Sequence, residues 1–149
     1  MLAEILTELY ERDLDKLRAE IELYASEEDL WKTTDGITNS AGNLCQHLTG
    51  NLQHFFGAVL SDSGYVRDRD AEFSARDTFK ADLLDDIDAA AGSVKNTLSR
   101  LSDDDLAKNY PIEVFDRPMT TAYFLVDLST HFTYHLGQIN YHRRLLATA

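Results

Sequence analysis

A chain of 149 residues, 44% hydrophobic and 27% charged, has the size and composition of one globular domain around one core, without the low-complexity tracts or like-charge blocks of a disordered protein. Twenty-six acidic side chains against fourteen basic ones give a net charge of −12 with no basic stripe, which removes the main electrostatic term of phosphate-backbone binding and argues against nucleic acid as a partner. The single cysteine, Cys45, excludes an intrachain disulfide and a sulfur-rich metal site, so any metal must be held by nitrogen and oxygen.

The N-terminal segment "MLAEILTELYERDLDKL" breaks up its apolar residues with charges at helical spacing. That is neither a signal-peptide core nor a membrane span, and a cytoplasmic protein with no membrane partner is expected. Leu2, Ile5, Leu6, Leu9, Leu17, Ile21 and Tyr24 share one face of a helix from about Leu2 to Tyr24. A second helix begins after Asn39 or Ser40, either of which can cap it, points Leu44, Leu48, Phe55 and Val59 inward, and ends near Ser61. A third runs from about Phe79 to Leu101 with Leu83, Ile87, Ala90, Val94, Leu98 and Leu101 in near-heptad register. The fourth spans about Met119 to Leu146. Four long helices predict an all-α fold, a four-helix bundle.

The joins carry the topology. The second, "DSGYVRDRDAEFSARDT", is long enough to cross the bundle, and a crossover between helices 2 and 3 gives an up-down-down-up order. The other two, "SEEDLWKTTDGITNS" and "SDDDLAKNYPIEVFDRP", are also longer than a helix hairpin needs. Their apolar residues Trp31, Tyr110, Ile112, Val114 and Phe115 are expected to seal one end of the bundle, with "IEVF", bracketed by Pro111 and Pro118, as a short extended piece.

The fourth helix carries His131, His135 and His142 on the border of the seam formed by Leu128, Phe132, Ile139 and Leu146. His131 and His135 are spaced i, i+4, so both can reach a common point, the requirement for two imidazoles to bind one transition ion. His47, in "NLCQHLTGNLQHFFG" on the second helix, borders that helix's apolar seam and supplies a third nitrogen. A tripod of His47, His131 and His135 leaves a position for water or substrate, and three neutral imidazoles leave the full charge of the ion in place. Hydrogen-bonded core histidines are the alternative reading. The stretch "HFTYH" lacks the glutamate of HExxH, which disfavours a zinc-peptidase site.

With these residues in view, the chain resembles the DinB/YfiT-like metal-binding superfamily through "NSAGNLCQHLTGNL" (residues 39–52), "RDRDAEF" (67–73) and "HFTYHLGQ" (131–138), and the resemblance covers almost the whole chain in order and spacing. The resemblance implies an up-down-down-up bundle, often a homodimer, with a divalent metal on His47, His131 and His135. Similar proteins include thiol S-transferases that use bacillithiol, a mycothiol-dependent isomerase and proposed hydrolases. The family name records induction by DNA damage and is no argument for DNA binding.

Other residues have two readings each. His54 and His142 lie seven residues beyond a candidate ligand, about 10.5 Å along the axis, too far to join the same ion. Gln138 can bond a ligand, a substrate or another helix. Asp127 either orients a histidine or is a solvated carboxylate. Arg67 and Arg69 either hold the crossover by ion pairs or grip a substrate carboxylate. Tyr65 and Tyr134 can donate to an anion or simply pack, and Cys45 reads as a small buried hydrophobe.

The preferred function is a thiol S-transferase acting on a small molecule, in which a divalent transition metal (Zn, Ni, Mn or Fe all suit three imidazoles) activates a low-molecular-weight thiol. A metal-dependent hydrolase of esters or amides and a non-enzymatic, stress-related bundle stapled by its metal are the rivals.

Overall fold

A computed structural model describes residues 1–147, and every regular element within them is helical. Helix α1 (Leu2–Glu22) leads through a 3-10 turn (Glu27–Trp31) to α2 (Ala41–Leu52), which runs on into a π-helical stretch (Gln53–Val59). The crossover holds the short α3 (Arg69–Ser74). Then come α4 (Lys80–Leu98), the one-turn α5 (Asp103–Ala107) and α6 (Thr121–Ala147). None of these helices is long and apolar enough to cross a membrane.

The helix starts follow local chemistry. Ser40, and not Asn39, caps α2: its Oγ accepts from the Asn43 backbone N–H at 3.2 Å. Asp68 caps α3 through the Ala71 N–H at 3.0 Å. Ser102 and Asp105 form a reciprocal capping box that starts α5 inside a stretch read from sequence as loop. α3 escaped the sequence reading as well, because a six-residue helix is too short to show a period.

Cross-helix bonds fix directions. The Tyr10 hydroxyl donates to the Leu125 carbonyl at 2.7 Å, Thr133 Oγ1 to Asp13 at 2.8 Å, and Arg143 Nε to Glu20 at 2.6 Å, so α1 and α6 ascend together. Arg18 pairs with Asp88 at 2.8 Å, and Lys80 Nζ donates to the Tyr24 carbonyl at 2.8 Å, which sets α4 antiparallel to α1. Thr78 Oγ1 donates to Gln46 and Thr97 Oγ1 to the Phe56 carbonyl, so α2 and α4 run the same way. Phe55 stacks edge-on against Phe124 while His47 meets His131, and α2 is therefore antiparallel to α6.

Between these helices lies one buried cluster, in which Leu6, Leu17, Ile21, Leu48, Leu52, Phe56, Leu83, Ile87, Phe124 and Phe132 are almost fully enclosed. Three sequence expectations need correction. In α1 the inward face is centred on Leu6, Tyr10, Leu14, Leu17 and Ile21, leaving Ile5 48% exposed at its margin; Tyr10 enters the core because its hydroxyl has a carbonyl to bond. "IEVF" is not a strand. A single β-bridge, Asn109 to Thr120, pinches off that loop, and Ile112 and Phe115 remain exposed while Leu106, Tyr110 and Met119 close the core beneath it. Finally, the apolar loop residues cap opposite ends rather than one. The Tyr110 hydroxyl donates to the Phe55 carbonyl, whereas Trp31 covers the first turn of α2, where a Cβ on Gly42 would come within 2.5 Å of its ring.

Candidate metal centre

His47 projects from α2 and His131 and His135 from adjacent turns of α6. Because the two helices are antiparallel and in contact, residues 84 apart in sequence meet. Ring centroids stand 5.0 Å apart for His47 and His131, 5.4 Å for His47 and His135, and 4.6 Å for His131 and His135. One nitrogen from each ring lies within 4.8 Å of the other two, a group able to hold a metal ion. The Nε2 atoms of His47 and His131 are 3.1 Å apart. Two nitrogens bound tetrahedrally to one ion at 2.0–2.1 Å stand about 3.3–3.4 Å apart, so this pair is already near the separation coordination requires.

Two of the three rings are set by their outer nitrogen. His47 Nδ1 lies 3.0 Å from Glu72 Oε1. Burial by itself would raise the Glu72 carboxyl, but hydrogen bonds from His47 and Arg67 outweigh it and hold the carboxyl below its ordinary range. An ionised carboxylate only accepts, so Nδ1 carries the proton and Nε2 presents its lone pair to the cluster. On His135, Nδ1 donates to Gln138 Oε1 at 2.7 Å, which likewise frees Nε2. His131 has no such partner. Its Nδ1 is buried without a hydrogen bond among the described residues, and its Nε2 faces the lone pair of His47 Nε2, so in the metal-free chain Nε2–H donates to His47 and a bound metal would displace that proton. Burial, then repulsion from His135, His47, Arg67 and Arg69, pushes His131 down to about 4; burial first lowers His135 too. Both are neutral imidazoles at pH 7, the form a metal requires.

Glu72 is the residue that sequence reading missed. It sits buried on α3, its two oxygens gripped by Arg67 Nε at 2.9 Å and Nη2 at 3.0 Å. A built Cβ at Gly50 would fall on the Glu72 carboxylate, so glycine at this position is what lets α3 lie against α2. The rest of the α2 motif fastens the same segment. Asn43 Nδ2 donates to the Glu72 and Ala75 carbonyls at 3.1 and 2.8 Å, and Gln46 Nε2 does so at 3.2 and 3.0 Å. Polar Asn43, Gln46 and His47 with Gly50 at i, i+3, i+4 and i+7, on a helix otherwise buried, were the legible signal of a docked polar partner.

Arg67 is thus committed to Glu72. Arg69 is exposed, stacks 5.2 Å from the Phe73 ring, and makes no hydrogen bond or ion pair among the described residues; Phe73 in turn packs 4.7 Å from the His47 ring. His142 is outside the cluster, bonded to the Tyr24 hydroxyl at 2.6 Å and the Lys32 carbonyl at 2.8 Å. His54 lies edge-on to Phe55 in the π-helical stretch and is not one of the three clustered rings. Asp127 is near the buried Tyr10 hydroxyl, whose pKa is raised by burial first and then by Asp127 and Asp13, and orients none of the three rings. Burial pushes the Cys45 thiol far up, which makes it inert as a nucleophile.

Two outcomes follow from this geometry. Glu72→Gln keeps the shape but loses the charge, and metal affinity measured by competition with a chromophoric chelator should fall by about 10–100-fold with the helical circular dichroism intact; unchanged affinity would contradict the role assigned to Glu72. For the metal-free protein, the depressed His131 adds stability that is complete above its ordinary 6.5 and is lost as pH falls toward about 4. His131→Gln should therefore flatten the decline of the calorimetric midpoint between about pH 6.5 and 5, where carboxylates stay ionised. Superimposable pH profiles for variant and parent would contradict it.

Comparison with curated proteins returns no match. The model of a family described as "Protein of unknown function (DUF1572)" matches residues 7–149, nearly the whole sequence including the crossover and all three histidines. The chain belongs to the DUF1572 family.

Proposed function

We propose that the chain is a DinB-like, metal-dependent thiol S-transferase on an up-down-down-up four-helix bundle. The observation that carries the reading is the convergence of three imidazole nitrogens within 4.8 Å, two of the rings held by Glu72 and Gln138. The bundle topology is supported by α1 and α6 running parallel, α2 and α4 running parallel, and the crossover between α2 and α4 spanning the length of both. A divalent transition ion held by three imidazoles keeps its full charge and supplies the acidity that ionises a thiol at neutral pH.

The chain's own residues then position and shield. Glu72, clamped by Arg67, keeps His47 from rotating away. Phe73 covers one side of the His47 ring and keeps water from it. Arg69, unpaired beside this shield, is placed to take the carboxylate of a low-molecular-weight thiol. In the transfer, the thiol proton leaves to solvent, the sulfur electron pair forms a bond to an electrophilic carbon, and the leaving group departs with its own pair. No protein nucleophile takes part, in keeping with the inert Cys45.

The test is conjugation of monochlorobimane by the zinc-, nickel- or manganese-loaded protein with cysteine, glutathione, bacillithiol and mycothiol in turn. One thiol should react well above the rate of the ion alone, and His47→Ala and His135→Ala should abolish both the acceleration and stoichiometric metal in elemental analysis. Turnover of p-nitrophenyl esters without any thiol, or acceleration surviving both substitutions, would overturn the reading.

A further inference from the structure

A pocket of about 450 Å³ opens beside His135, in the size range of small-molecule sites. It is walled by the loop of residues 32–39 on one side and the last turns of α6 on the other, with His135 and its partner Gln138 on its inner edge. The walls are mostly apolar, from Ile37, Leu44, Tyr141 and Leu146, with threonine hydroxyls interspersed. In a chain of net charge −12, no carboxylate lines this pocket among the described residues, and its one lysine, Lys32, is paired with Asp29 at 2.6 Å.

The loop that makes the outer wall is built rather than incidental. The Tyr24 phenol, kept protonated by burial, donates to His142 Nδ1, and His142 Nε2–H donates to the Lys32 carbonyl, which fastens the start of the loop to α6. A β-turn follows, in which the Ile37 N–H bonds the Thr34 carbonyl at 2.9 Å and Gly36 takes the positive φ of +84° that this turn needs. Ile37 is thereby held at the pocket.

We infer that this pocket binds the electrophilic co-substrate, an uncharged and largely apolar small molecule, with its reactive polar end directed at the histidine cluster across His135 and Gln138. The inference rests on the metal-centre reading and adds the substrate class. Charge divides the site: the exposed Arg69 stacks on Phe73, which packs against the His47 ring, and suits an anionic thiol, whereas the loop side offers apolar surface and neutral hydroxyls. Gln138 commits its Oε1 to His135 and leaves its amide N–H groups to donate to an oxygen of the bound molecule.

Hydroxamates test this without turnover, since benzohydroxamate and acetohydroxamate share one metal-binding group and differ in apolar body. Their affinities for the Co(II)-loaded full chain are read from the visible Co(II) bands. Benzohydroxamate should bind about tenfold or more tightly than acetohydroxamate. Ile37→Trp, which fills the pocket, should erase that preference, and Ile37→Ala should narrow it, with Co(II) affinity and acetohydroxamate binding unchanged in both. Because Ile37 is on an exposed turn, both variants are expected to fold. Co(II) binding with equal affinity for the two hydroxamates, or a preference indifferent to residue 37, would overturn the pocket assignment alone. Failure of the chain to bind Co(II) would overturn the metal centre and this inference with it.

Discussion

The bond between His47 and Glu72 is the constraint from which the rest of this site follows. A carboxylate buried against a helix is costly unless it is fully partnered, and Glu72 is partnered on both oxygens by Arg67 and His47. That cost explains the surroundings: a glycine at position 50 to admit it, two amide side chains on α2 to hold its backbone, and an arginine five residues earlier on the crossover. A core position filled only for stability is served better by a leucine. What this assembly provides instead is one imidazole in a fixed tautomer, with its free nitrogen aimed at two others.

The helix directions and this local device depend on each other. The crossover must run back along α2 for α4 to lie parallel with it, and on its way it delivers α3 to the flank of α2. A short hairpin between the same helices would leave no segment to carry Arg67, Glu72, Arg69 and Phe73. The antiparallel contact of α2 with α6 brings His47 opposite the i, i+4 pair, and the parallel contact of α1 with α6 ties the buried Tyr10 and Asp13 and the half-buried Glu20 into bonds that fix the register of α6. Sliding α6 by one turn would carry His131 and His135 about 5.4 Å past His47.

Much of this could be read in the sequence. Apolar periodicity located the four long helices to within a few residues, and the i, i+4 spacing of His131 and His135 with an inward His47 identified the three rings that meet. Elements too short to show a period were not legible, namely α3, α5 and the 3-10 turn. Nor were positions where a polar group is buried because its partner comes from elsewhere in the chain. Glu72 looked like one charge among several in "RDRDAEF", and only the approach of α3 to Gly50 sets it apart from Asp68 and Asp70. Tyr10 was passed over for the same reason, since the Leu125 carbonyl that accepts its hydroxyl lies 115 residues away. Ile5, Ile112 and Phe115 erred in the opposite sense, because apolar character alone does not say which side of a helix margin or loop tip faces water.

The most direct test of the account is anomalous diffraction from crystals of the zinc-loaded chain. It predicts one peak about 2.0–2.1 Å from nitrogens of His47, His131 and His135, with Glu72 still bonded to His47 Nδ1. A map with no peak at the three rings, or with the ion held by surface carboxylates while the imidazoles bond only to protein neighbours, would contradict it.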